Sequence, residues 1–336
     1  MPVRIGMNGF GRIGRYMARI LAGSKTAELV VVNARASNHD LAHLLKYDSV
    51  HGIFPGSVQA NEEGFLLDGK QVAVTRQGPG EWKWSDRQVD IVLETTGKFN
   101  DRASCEKHLS CGARKVLVSA PAKQPDLTVV MGVNDNLYDP EKHRIVSNAS
   151  CTTNCLAPVC HVLHDRFGIE HGMMTTIHSY TMSQRILDGS HKDLRRARAA
   201  AMSMIPTTTG AAKAVFEVIP ELSGRLFGMA IRVPTPNVSL VDLVVRLEKP
   251  TDKKGLNETL KAAAAGELAG VTDYTELPLV SVDFIGSTFG GVVDGSCTEV
   301  IGGNMAKLIV WYDNEAGFCW QLTRLIDLVA GSLPSR

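Results

Sequence analysis

The stretch Gly9-Phe10-Gly11-Arg12-Ile13-Gly14 follows directly on an apolar run at residues 3–7 and opens a helical stripe in which Ile13, Met17, Ile20 and Leu21 recur at i, i+4, i+7 and i+8. A second apolar run at 29–32 completes a strand–helix–strand unit, whose parallel strands need a crossover helix and so commit the rest of the half to that sheet. In this context Gly9 permits the tight turn, Gly11 lets the backbone approach a pyrophosphate, and Gly14 allows close packing of helix on strand. The helix start adds unpaired N–H groups and a favourable dipole, so the motif implies dinucleotide binding. Further apolar runs at 91–93, 115–118, 128–131 and 144–147 predict a doubly wound parallel Rossmann sheet of the α/β class.

After Cys151 the pattern changes. A helix with Cys155, Leu156, Val159, Cys160 and Leu163 on one side leads into longer strands at 173–180 and 229–247, which predicts a second α+β domain built on a mainly antiparallel sheet. In Ser239–Leu247 the residues Val241, Leu243, Val245 and Leu247 alternate with Leu240, Asp242, Val244 and Arg246. One face therefore packs on helices and the other is left for a partner, which points to an oligomer. Helices are expected at 254–265 and 317–329, and a chain of 336 residues suits two domains.

Composition narrows the function classes. With 36 Lys and Arg against 35 Asp and Glu, the net charge of +1 gives no field that would hold nucleic acid or a membrane surface. Seven cysteines with no C-x-x-C pair read as reduced thiols, and no metal site is expected. No run of about 20 apolar residues occurs, nor an N-terminal basic and apolar leader pattern, so a cytoplasmic chain that neither spans a membrane nor is exported is expected.

Two local features carry the chemistry. The dinucleotide fingerprint calls for an acid about 20 residues on, to bond the adenosine ribose hydroxyls. Position 34 instead holds alanine, in Val32-Asn33-Ala34-Arg35-Ala36-Ser37-Asn38. Nothing there repels a 2′-phosphate, and Arg35 stands beside the donors Ser37 and Asn38. NADP is the expected cofactor, with NAD and a solvated Arg35 as the alternative. The second feature is Ser147-Asn148-Ala149-Ser150-Cys151-Thr152-Thr153-Asn154-Cys155, where a strand runs into a helix beginning near Cys151. By residue type alone such a cysteine is a small buried hydrophobe. As a nucleophile it would gain from the helix dipole and a neighbouring imidazole, both expected to lower its pKa.

The segment 149–155 resembles the active-site signature of phosphorylating glyceraldehyde-3-phosphate dehydrogenases. The resemblance extends over Asn8–Gly14 in sequence, Leu45-Lys46-Tyr47-Asp48-Ser49-Val50-His51-Gly52, Arg232-Val233-Pro234-Thr235-Pro236-Asn237-Val238 and Trp311-Tyr312-Asp313-Asn314-Glu315. It implies that Cys151 attacks an aldehyde carbon, that His178 takes the proton, and that inorganic phosphate resolves the thioester. It assigns Thr181 and Arg232 to the substrate phosphate and Ser150, Thr152, Arg196, Thr209 and Gly210 to the inorganic one. Cofactor contacts are implied at Gly9, Gly11, Arg12, Ile13, Gly14, Ala34, Arg35, Arg76, Ser119 and Asn314, the last orienting the nicotinamide amide. It also implies a dinucleotide-binding domain of residues 1–150 plus 315–336, a catalytic domain of 151–314 with an S-loop at about 180–205, and a homotetramer.

In the S-loop, serine follows Asp188-Gly189 where many NAD-using relatives carry proline, a second departure toward NADP. Ala316 stands where the family usually has a larger residue, with no functional account. Two rivals share the fold. Erythrose-4-phosphate dehydrogenase, which is non-phosphorylating, resembles this chain at Asp193-Leu194-Arg195-Arg196 and at 273–280, and Thr181 speaks against it. A redox-sensing or RNA-binding protein would not need the intact Cys151 and His178.

Overall fold

The structure, a computed structural model, describes residues 1–333. It comprises two compact units: one formed by Met1–Val129, Asn136–Ala149 and the chain from Leu322 onward, the other by Val130–Asp135 and Ser150–Gln321. Residues 334–336 of the expected C-terminal segment lie outside the described residues.

The first unit runs β1 (Val3–Asn8), α1 (Arg12–Ala22), β2 (Ala27–Asn33), α2 (Asn38–Lys46), β3 (Tyr47–Asp48), β4 (Gly52–Ile53), β5 (Val58–Asn61), β6 (Gly64–Leu67), β7 (Lys70–Thr75), β8 (Ile91–Glu94), α3 (Arg102–Ser110), β9 (Lys115–Val118), β10 (Leu127–Thr128) and β11 (Ile145–Ser147). Its nine-stranded sheet has the order β10-β11-β9-β8-β1-β2-β7-β6-β5. From β10 to β7 every neighbour is parallel, and β6 and β5 add antiparallel hairpins at one edge. The parallel strands read as continuous apolar runs because they are covered on both faces: Ile5, Met7, Val32, Ile91, Leu93 and Val116 are fully buried.

Two expectations need correcting here. The buried face of α1 is Gly14, Met17, Ala18 and Leu21, so the stripe is rotated away from Ile13 and Ile20, which stay partly exposed. The strand expected at 128–131 shrinks to Leu127–Thr128, because the N–H groups of Val133 and Asn134 both turn back to the carbonyl of Val130 and curl the chain out of the ladder.

The second unit runs α4 (Cys151–Phe167), β12 (Ile169–Ser179), β13 (Ile205–Thr208), α5 (Ala211–Val218), β14 (Leu226–Val233), β15 (Ser239–Leu247), α6 (Lys253–Ala265), β16 (Thr272–Thr275), β17 (Gly291–Ile301), β18 (Met305–Tyr312) and the first residues of α7 (Ala316–Ser332). Its sheet is ordered β13-β14-β12-β15-β18-β17-β16. The pairs β12–β14 and β16–β17 are parallel and the rest antiparallel. The single strand expected at 229–247 is two strands, since Pro234 and Pro236 cannot donate to a ladder. In β15 the alternation holds: Val241, Leu243, Val245 and Leu247 are buried, and the intervening residues are not.

Candidate active site

Cys151 is placed by the turn that precedes it. Ala149 takes a left-handed backbone (φ 54°), a conformation that costs a non-glycine residue energy and reverses the chain sharply. Ser150 is extended (φ −114°, ψ 163°), and its hydroxyl accepts the N–H of Thr153 at 3.1 Å, capping α4. Cys151 is then the first helical residue, half-buried, at the positive end of the helix dipole. One turn on, Cys155 is fully buried and its thiol points to the carbonyl of Val310 at 3.7 Å. Burial pushes Cys155 well up and Cys160 to about 12, so these remain thiols.

His178 comes from the end of β12, where the parallel register sets it opposite Arg232 of β14. Its Nε2 lies 3.6 Å from Cys151 Sγ. Its Nδ1 lies 2.7 Å from the carbonyl oxygen of Ser179, while Arg232 Nη1 lies 2.7 Å from that Nδ1 and donates to the same carbonyl at 2.9 Å. When Nδ1 carries the proton and donates to Ser179, Nε2 is a bare acceptor facing the sulfur, which is the tautomer a base needs. Burial, reinforced by the charge of Arg232, pushes the imidazole down to about 3.

The imidazole is therefore neutral and lends the sulfur no positive charge, contrary to the expectation from sequence. Burial pushes the Cys151 thiol up, and the cation that opposes this is Arg232, helped by hydrogen bonding from Thr152. Beneath the pair lies Tyr312, which the sequence presents only as part of a motif. Its ring meets His178 edge-on with centroids 5.9 Å apart, and its buried hydroxyl joins Thr152 at 2.8 Å and Thr176 at 2.7 Å. A tyrosine ending an apolar strand carries no signal of this role.

The residues assigned to phosphates all lie in the second unit. Thr181 is half-buried, with its hydroxyl 3.0 Å from Ser183 Oγ. Arg232 is held at His178 and Ser179 as described. Arg196 reaches Thr207 Oγ1 at 2.8 Å and the carbonyl of Thr208 at 3.3 Å, with Asp193 at 3.5 Å. Gly210 precedes α5 with no side-chain cap, so that helix start keeps free N–H capacity, and Thr209 Oγ1 accepts the N–H of Ala211. Thr152 stands apart from the others: its hydroxyl is buried against Tyr312 and faces away from solvent, and Ser150 spends its oxygen on the cap.

The dinucleotide residues of the first unit fit the group. Gly9 is left-handed (φ 97°), a Cβ on Gly14 would stand 2.8 Å from the carbonyl of Gly9, and nothing lies within 4 Å of a Cβ on Gly11. Gly11 caps α1 without any side-chain bond, and the helix start turns the positive end of its dipole to an anion there. Arg12 is ion-paired to Asp48, Ile13 follows it on α1, and Ser119 Oγ donates to the carbonyl of Glu94 at 2.9 Å. Ala34 is half-buried, while Arg35 and Arg76 are exposed, the latter donating to Ala36 O and Asn38 Oδ1, each at 2.7 Å. In the second unit, Asn314 Oδ1 accepts the hydroxyl of Ser239 at 2.9 Å.

Residues 3–102 match the family model described as glyceraldehyde 3-phosphate dehydrogenase, NAD binding domain, and residues 150–314 match its C-terminal domain. The chain is 55% identical over 331 residues to the glyceraldehyde-3-phosphate dehydrogenase of Geobacillus stearothermophilus, covering 98% of each. It is 53% identical over 328 residues to glyceraldehyde-3-phosphate dehydrogenase 1 of Bacillus cereus, covering 97% of each. Against glyceraldehyde-3-phosphate dehydrogenase 1 of Bacillus subtilis (strain 168) the identity is 51% over 331 residues, covering 98% of each.

The electrostatics of the pair give a pH prediction. The thiolate is the reactive form, and Arg232 lowers the thiol pKa. Arg232→Gln should therefore move the pH profile of Cys151 alkylation by iodoacetamide to higher pH and slow the reaction at any pH below the midpoint. His178 loses the same charge, but burial, the larger cause, keeps it neutral. A midpoint that stays put or moves down in the variant contradicts this.

Proposed function

The chain belongs to the glyceraldehyde-3-phosphate dehydrogenase family, and from that premise we propose that Cys151 and His178 oxidise glyceraldehyde 3-phosphate to 1,3-bisphosphoglycerate through a thioester. The observation that carries the reading is a thiol at a helix start, 3.6 Å from Nε2 of a buried imidazole. The sulfur attacks the aldehyde carbon as its proton passes to His178 Nε2. The hemithioacetal oxygen forms beside the N–H groups opening α4 and receives that proton. When bound, the nicotinamide supplies the acceptor for the hydride on that carbon. His178 takes the hydroxyl proton as the hydride leaves, the carbonyl re-forms, and the product is a thioester on Cys151. Phosphate oxygen then attacks the thioester carbon, the C–S bond breaks, and the sulfur leaves as thiolate to be reprotonated.

Arg232 couples binding to this chemistry. A substrate phosphate drawn to its guanidinium pulls the charge off His178 Nδ1, where it now lies at 2.7 Å, and so makes the base stronger once substrate is in place. Thr181 adds a neutral donor to that phosphate. Arg196, Thr209 and the N–H groups following Gly210 hold the attacking phosphate together with Ser150, and Thr152 supports the sulfur by direct hydrogen bonding. We assign dinucleotide binding to residues 1–150 plus 315–336 and catalysis to 151–314.

NADP is the cofactor this reading favours over NAD. Ala34 leaves no carboxylate at the ribose position, and Arg35 and Arg76 are exposed cations close by in sequence or strand pairing, β2 lying beside β7. Asn314 orients the nicotinamide amide. A homotetramer is supported by apolar side chains open on the second unit's strands, among them Met173, Phe227 and Ile301. Among the described residues no helix is long and apolar enough to cross a membrane. We place the enzyme in the cytoplasm, on the reduced state of its seven cysteines.

Cys151→Ser should abolish phosphate-dependent reduction of the cofactor while dinucleotide binding, followed by fluorescence titration, persists; retained turnover refutes the nucleophile. Steady-state kcat/KM should favour NADP over NAD. Ala34→Asp should weaken NADP use by about tenfold or more through repulsion of the 2′-phosphate and leave NAD less affected; a parent strongly preferring NAD overturns the assignment.

A further inference from the structure

Four neighbouring parallel strands of the first unit, β8, β1, β2 and β7, end at their carboxyl edge in Glu94, Asn8, Asn33 and Thr75, and these side chains are bonded sideways into one row. Glu94 and Asn8 are both buried, at 1% and 2% exposure. Asn8 Nδ2 donates to Glu94 Oε2 at 2.6 Å, and Asn33 Nδ2 donates to Asn8 Oδ1 at 2.9 Å. Asn33 Oδ1 in turn accepts from Thr75 Oγ1 at 3.0 Å and from the N–H of Gln77 at 2.9 Å. At the other end, His108 Nδ1 accepts the indole N–H of Trp84 at 3.1 Å, so its Nε2 carries the proton and faces Glu94 Oε2 at 3.2 Å. The N–H of Thr96 at 2.8 Å and its hydroxyl fill Glu94 Oε1.

This row has a polarity, and one group sets it. A carboxylate only accepts, so Asn8 must turn its NH₂ to Glu94 and its oxygen to Asn33. Asn33 must then turn its NH₂ to Asn8 and its oxygen to Thr75 and Gln77. The two ends of the row adjoin two parts of the dinucleotide cradle, the phosphate turn and the adenosine-ribose position. Thr96, held by Glu94, is the wall of the Gly9 turn: a Cβ on Gly9 would stand 2.9 Å from both Thr96 Cγ2 and Thr96 N. At the far end, Thr75 and Gln77 flank Arg76, and Ala34 follows Asn33 in sequence.

We propose that Glu94 is a positioning residue for the dinucleotide: its charge, passed along Asn8 and Asn33, holds the phosphate turn at Gly9 and the ribose end at Ala34 and Arg76 in one register. The inference rests on the nicotinamide reading of the family and adds to it a group that itself touches neither cofactor nor substrate.

The test is dinucleotide binding by fluorescence titration with NADPH and NADH, alongside cofactor KM and kcat. In Glu94→Gln one carboxylate oxygen becomes an NH₂, which faces either the NH₂ of Asn8 and the Nε2 proton of His108 or the N–H of Thr96, so either the row loses its direction or the wall of the Gly9 turn loses its hold. Affinity for both cofactors should fall about tenfold, the size of one lost charged hydrogen bond, with cofactor KM rising in step and kcat at saturating cofactor changing less than about twofold. Asn33→Asp, at a half-buried position that leaves the carboxylate and its imidazole intact, sets oxygen against oxygen and should weaken both cofactors similarly.

The double variant Asn8→Asp with Glu94→Gln restores direction from Asn33 onward, because a carboxylate at position 8 accepts from both neighbours. It should regain most of the lost affinity. Singles that bind like the parent, or a double no better than Glu94→Gln, overturn the proposal. If Glu94→Gln does not fold, Asn33→Asp decides alone. A parent that binds neither cofactor overturns the nicotinamide reading itself, and this inference with it.

Discussion

A proton can pass between a thiol and an imidazole only if two separately folded segments deliver them to the same few ångströms, and that meeting is what the second unit is built to enforce. Cys151 is fixed along the chain by the left-handed Ala149 and the Ser150 cap, His178 by the β12 ladder. The hydroxyl of Tyr312, bonded to Thr152 on α4 and Thr176 on β12, ties the two segments together. None of these contacts touches a reacting atom, yet each limits how far Sγ and Nε2 can drift from 3.6 Å.

Burial shapes the chemistry as much as geometry does. The low-polarity surroundings that keep His178 neutral also keep the Cys151 thiol protonated, so the resting pair stores its proton on sulfur. The charge that biases this balance belongs to Arg232, set opposite His178 by the register of β12 and β14. Under the proposed assignment of that arginine to the substrate phosphate, binding and base strength are linked through one guanidinium.

Much of this is written plainly in the chain, and some is not. The strands β1, β2, β8, β9 and β11 are legible because parallel strands covered on both faces must be apolar throughout, and the glycine turn is legible because only glycine fits φ 97° at position 9. The strands between 47 and 75 escape a reading by periodicity, being two to six residues long and partly polar, as in Val58-Gln59-Ala60-Asn61. Cys151 and His178 are recognisable by motif, but the neutrality of the imidazole is not, since it depends on burial and on Arg232 arriving from 54 residues away. The Glu94 row is likewise invisible in one dimension: each member merely ends an apolar strand, and only the sheet order brings them side by side.

The most direct test of the central claim is intact and peptide mass spectrometry of the enzyme mixed with glyceraldehyde 3-phosphate and oxidised cofactor in the absence of phosphate. One phosphoglyceryl thioester per chain is expected, mapped to the peptide bearing Cys151, that disappears when inorganic phosphate is added. No adduct, an adduct on another cysteine, or one that phosphate does not discharge would contradict it.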